Sequence, residues 1–114
     1  MENDTLTKVS MDIILNAGDA RLCSTEAQKA LAAFDFELAS SKMKEAFDKI
    51  RVAHQLQTEV IQDETRGETY NPSLLFTHAQ DTLMTIYSEL NITKRLIDMM
   101  RAIDARLKKV EDQS

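Results

Sequence analysis

Two histidines, His54 and His78, and one cysteine, Cys23, stand out in the 114-residue sequence as side chains for nucleophilic or metal chemistry. A single cysteine excludes an internal disulfide and any zinc site built on paired cysteines. No His-x-x-x-His pair is present, and no Ser/His/Asp triad can be read from the spacing. His54 reads as a surface or boundary residue. His78 lies in Phe76-Thr77-His78-Ala79-Gln80-Asp81-Thr82-Leu83-Met84, where polar side chains interrupt an otherwise apolar helix start. A lone histidine can carry a phosphoryl group. Neutral imidazole has a free lone pair, its pKa is close to cell pH, and its P–N bond is labile. Such a site needs donors for the phosphoryl oxygens. Gln80 and Thr82 are donors close in sequence, and Thr82 shares a helix face with His78 at i,i+4.

These residues must be positioned by helices. Gly and Pro together number three, which argues against a turn-rich all-β fold. Leu6, Val9, Ile13, Asn16, Ala20, Cys23, Ala27, Ala30 and Phe34 step by three and four, as one buried helical seam does. A second seam, Phe36, Ala39, Met43, Ala46, Ile50, Ala53, Gln57 and Val60, begins two residues out of phase. That slip turns the stripe by about 200°, so the chain reverses near Asp35, which is a good N-cap. The polar run Asp63 to Pro72 makes the second break, with Asn71 and Pro72 read as N-cap and first helical residue. The third seam is Phe76, Ala79, Leu83, Ile86, Leu90, Thr93, Ile97, Met100 and Leu107, with Ile92, Leu96, Met99 and Ile103 as a second apolar row beside it. The expectation is one all-α domain over residues 1–114: an antiparallel up-down-up three-helix bundle with helices at about 5–33, 36–65 and 72–110. The extra row predicts self-association.

Asn16 and Gln57 are amides on seam positions and need partners. Matching levels across the two turns puts Asn16 near His54. It puts Gln57 about level with Asp81 and within about one to two helical turns of His78 and Gln80. Gln57 is then either a pocket residue or a satisfied core amide.

The formal net charge of −5 argues against a general affinity for nucleic acid or anionic lipid. No run reaches the length of a membrane span, and no signal peptide is read at the start. With one cysteine, this leads to an expected cytoplasmic location.

The segment His78-Ala79-Gln80-Asp81-x-Leu83-Met84-Thr85 resembles the active-site segment of the lactose/cellobiose-type enzyme IIA of the bacterial phosphoenolpyruvate-dependent sugar phosphotransferase system. Asn16-Ala17-Gly18-Asp19-Ala20-Arg21 and Ala53-His54-x-x-Gln57-Thr58 agree with it, and the resemblance covers nearly the whole chain. It implies a homotrimer. It implies that His78 takes a phosphoryl group from the carrier HPr and passes it to a cysteine of enzyme IIB, for a lactose-, cellobiose- or chitobiose-type sugar. The membrane is then involved only through the sugar permease component. Gln57, Gln80 and Thr82 would support the phosphoryl site. Asp81 matches the residue that meets its symmetry copies around an axial metal; three crowded carboxylates need a cation, and Mg²⁺ suits an oxygen cage. Otherwise Asp81 is a solvated helix carboxylate. Thr82 stands where many members have a second histidine, and Phe34 where a glycine often precedes the second helix. The competing readings are a non-catalytic oligomeric helical adaptor and a regulator that reports its phosphorylation state.

Overall fold

A computed structural model describes residues 3–68 and 71–114. Among these the chain forms three helices: α1 (Asn3–Ala32), α2 (Phe36–Thr65) and α3 (Leu74–Asp112). No strand occurs among the described residues, and the up-down-up bundle is as expected. Thr69 and Tyr70, part of the polar break, lie outside the described residues.

Side-chain contacts set the register. Arg21 meets Glu89 and Ser24 meets Thr93, so α1 and α3 run parallel. Lys42 meets Glu26, and Gln57 meets Gln80, so α2 runs against both. The Lys42–Glu26 register sets Asn16 opposite Val52, close to His54 as level-matching predicts.

The α2 seam is buried as read, from Ala39 through Gln57 to Val60, with Phe36 half-buried. The α1 seam is shifted. Its buried residues are Leu6, Ser10, Ile13, Ala17, Ala20, Ser24, Ala27, Ala30 and Leu31. Val9, Asn16 and Cys23 lie half-buried on its edge. The reason is that serine can hide its one hydroxyl inside the helix: Ser10 Oγ donates to the Leu6 carbonyl at 2.7 Å. Ser24 Oγ donates to Thr93 Oγ1 at 3.4 Å. The Asn16 amide is satisfied within α1, donating to the Asp12 carbonyl at 2.8 Å.

The α3 seam is buried from Phe76 to Ile97, but Leu107 is exposed. The bundle ends near Arg101, whose guanidinium donates to the Phe36 carbonyl at the start of α2. Beyond that level α3 has no α2 beside it, so its last turns project from a molecule 68 Å long.

Both helix ends at the turns close the same way. The Asp35 N–H donates to the Ala30 carbonyl and the Phe34 N–H to the Leu31 carbonyl. The Glu68 N–H donates to Asp63 and the Gly67 N–H to Glu64. These are Schellman closures, which require a left-handed residue at the corner. Gly67 fills that position at φ 96°, and Phe34 fills the other at φ 58°. Phe34 is therefore a corner residue, 46% exposed, and not the end of the α1 seam. Asp35 caps α2 as predicted, its carboxylate accepting from the Leu38 N–H at 3.1 Å. The α3 cap differs from the reading of Asn71 and Pro72. Ser73 is the N-cap, with extended backbone and its hydroxyl accepting from the Phe76 N–H at 3.1 Å. The helix starts at Leu74 because Ser73 supplies the side-chain oxygen three residues ahead of an otherwise unpaired amide.

Candidate functional site

His78 lies one turn into α3, with its side chain exposed. Ala79 beside it is fully buried and anchors that turn in the core. Eleven residues along a helix return to nearly the same direction, about 20° away. Glu89 therefore marks the flank His78 shares, and Glu89 faces α1 through its paired bonds to Arg21, both 2.9 Å. Thr82, one turn on from His78, is half-buried on the same flank.

Gln57 is 8% exposed, and its Nε2 donates to Gln80 Oε1 at 3.1 Å. The predicted levels hold. The pair nonetheless sits on the α2 side of α3, because two residues turn a helix by about 200° and so put Gln80 on the flank opposite His78. Within one chain, Gln57 is a satisfied core amide, and the two glutamines are together but not at the imidazole. A concavity of about 230 Å³ opens beside Gln80, between Leu6, Val60 and the Pro72–Ser73 cap.

Asp81 is exposed on the outer face of α3, away from the core. Among the described residues, no three His, Cys, Asp or Glu side chains gather to hold a metal. Among the described residues the chain by itself does not form a metal cage, and Asp81 stands as an exposed helix carboxylate.

His54 is exposed, with its ring 6.3 Å from that of Tyr87. It belongs to a shallow pocket with Phe47, Ile50 and Arg51, across α2 from α1 and away from His78. Sequence reasoning missed Tyr87 and the Arg21–Glu89 pair. Arg21 lies in a segment already singled out, but nothing in its spacing names a partner 68 residues away. Cys23 is half-buried, with Sγ 3.8 Å from Glu45 Oε2. Burial pushes its thiol pKa up, and Glu45 and Glu26 push it further, so it is a poor nucleophile.

Among the described residues the chain is a three-helix protein that presents the His78 imidazole to solvent. Residues 8–101 match the family described as PTS system, Lactose/Cellobiose specific IIA subunit, and the chain belongs to that family. Its members are phosphotransfer components of a sugar phosphotransferase system. The lichenan-specific phosphotransferase enzyme IIA component of Bacillus subtilis is 34% identical over 101 residues, covering 89% of this chain and 92% of that protein. The N,N'-diacetylchitobiose-specific EIIA component of Escherichia coli K12 is 31% identical, covering 91% and 90%. The crystal structure of PtcA from S. mutans superposes with a TM-score of 0.87 at 32% identity, covering 89% of this chain and 99% of that one. The cellobiose-specific enzyme IIA from Bacillus anthracis gives 0.83 at 33% identity, covering 92% and 94%. No helix among the described residues is long and apolar enough to cross a membrane.

Proposed function

We propose that the chain is a cytoplasmic phosphoryl carrier in sugar uptake, with His78 as the carrying residue. The exposure of His78 beside a fully buried Ala79 supports this reading most. Burial of Ala79 fixes the backbone at that turn, while the imidazole itself is open to a docking protein. An imidazole nitrogen of His78 attacks the phosphorus of phospho-HPr; the new P–N bond forms as the donor's P–N bond breaks, and the donor imidazole leaves with the electron pair. In the second step a cysteine thiolate of enzyme IIB attacks, a P–S bond forms, and His78 is released. Thr82, one turn on from His78, would donate a hydrogen bond to a phosphoryl oxygen. The sugar is of the lactose, cellobiose or chitobiose type, in keeping with the relatives' names.

The working unit is a homotrimer. Leu74, Ile92, Leu96, Met99 and Ile103 are exposed on the outer face of α3, and Asp81 lies in the same line. Packing three α3 helices along that line covers the apolar row and brings three Asp81 carboxylates together. A divalent cation such as Mg²⁺ would neutralise them there. The same rotation sets the Gln57–Gln80 flank of one copy beside the His78 flank of the next, where the amides could support the phosphoryl group.

Incubation with phosphoenolpyruvate and the upstream carriers tests the reading. The protein should gain the mass of one phosphoryl group, acid-labile, absent in His78→Ala and retained in His54→Ala. An unmodified wild-type protein would end it, leaving a helical adaptor.

A further inference from the structure

The last turns of α3 outrun the bundle, and they carry a regular pattern. Residues 8–101 match the family, so the turns from Ala102 to Asp112 lie beyond the matched segment. Met100, Ile103, Leu107 and Val110 recur at steps of three and four, in phase with Leu96. Met100 packs against the bundle core, whereas Ile103, Leu107 and Val110 are 47%, 46% and 64% exposed. These three border one shallow concavity, with Arg106 on its rim. Helical direction puts Arg106 on one flank of the seam and Asp104 and Glu111 on the other. Arg101, Ala102, Ala105, Lys108, Lys109 and Asp112 fall on the remaining faces. Asp104 is paired within the helix, with Lys108 at 3.2 Å. Arg106 and Glu111 are then the flank charges left for a neighbour.

We infer that this overhang joins three copies of the chain in a short parallel coiled coil, each seam covered by the same seam of the other two. Met100 and Leu107 take the first core position of the heptad, and Ile103 and Val110 the second. Leucine at the first with a β-branched residue at the second favours three or four strands over two. The flank charges set the direction. Parallel strands bring a residue on one flank beside the residue five places on in the next strand, so Arg106 meets Glu111. Antiparallel strands would set Arg106 against Arg106 and Glu111 against Glu111, and like charges repel. The inference rests on the homotrimer reading, which selects three strands rather than four, and adds to it a contact outside the matched segment. That contact lies about 45 Å along α3 from His78, so it governs the concentration at which the chain assembles without touching the phosphoryl site. Two heptads are too short to associate alone, and they act together with the row from Ile92 to Met99.

Sedimentation equilibrium of the full chain over a range of concentrations is the test. Leu107→Glu with Val110→Glu should raise the dissociation constant of the trimer at least about tenfold. The bundle should stay folded, because both side chains lie past its last turn. Arg106→Glu should raise the constant about threefold or more at low ionic strength. Adding Glu111→Arg should bring it back to within about twofold of wild type, because the pair is then reversed rather than removed. A constant within about twofold of wild type for the apolar double variant would overturn the inference and leave the row from Ile92 to Met99 as the whole contact on α3. Failure of Glu111→Arg to rescue Arg106→Glu would overturn the parallel pairing. A wild-type chain that is monomeric throughout the range would instead remove the homotrimer reading, and the overhang contact with it.

Discussion

Gln57 and Gln80 share a hydrogen bond of 3.1 Å across α2 and α3, on the flank of α3 that faces away from His78. The arrangement separates two roles that nearness in sequence would merge. Within one chain the glutamine pair ties α2 to α3, and it can serve the imidazole only across a boundary between copies. Gln57→Ala should therefore lower the unfolding free energy by about 1–2 kcal/mol, because it strands a half-buried amide. Urea denaturation of the isolated chain measures this. If the trimer supplies Gln80 to a neighbour, Gln80→Ala should also slow phosphoryl transfer.

The α3 row makes a separate prediction. Sedimentation should give about three times 12.9 kDa. Leu96→Glu with Met99→Glu should give a folded monomer, since both side chains are exposed in the single chain. Chelation should lower the thermal midpoint of the wild-type assembly, and Asp81→Leu should abolish that dependence. Equal response of the two proteins to chelation would count against an axial cation.

At the first corner, Phe34 holds the left-handed conformation that glycine holds at the second. An L-residue with a side chain meets a penalty of roughly 1–2 kcal/mol there. The edge-to-face contact with Phe36, centroids 6.1 Å apart, recovers part of it. Phe34→Gly should raise stability by about 0.5–1 kcal/mol, whereas Gly67→Phe should lower it by more. Chemical denaturation of the pair checks the sign.

Arg21 and Glu89 form a bidentate pair, but their side chains are 48% and 44% exposed. A double-mutant cycle should give a coupling of only about 0.5–1 kcal/mol, shrinking with added salt.

Partial burial and the nearby Glu45 and Glu26 raise the pKa of Cys23. The folded state therefore favours the neutral thiol. Its contribution to stability is complete below the thiol pKa of the unfolded chain and is lost as pH rises through the folded value. Alkylation by iodoacetamide at pH 8 should be slower in the folded protein than in urea, and Glu45→Gln should speed it. Equal rates in the two states would refute this environment for the thiol.

Helical periodicity determined much by itself. The α2 seam and α3 as far as Ile97 follow from three-and-four spacing, and the phase slip at Asp35 locates a turn that no glycine or proline marks. Polar neighbours that interrupt an apolar pattern single out His78 in the sequence, and its exposure on α3 is what the structure adds. Tertiary structure decided what depends on direction around a helix and on partners far away in sequence. It buried Ser10 and Ser24 in place of Val9 and Cys23, because a small side chain that satisfies its own hydroxyl tolerates the core. It moved the α3 cap to Ser73, and it left Leu107 exposed because α2 begins too low to cover it. It also put His78 and Gln80 on opposite flanks. Spacing along the chain fixes how far apart two side chains rise; only the packed neighbours say which way each one faces.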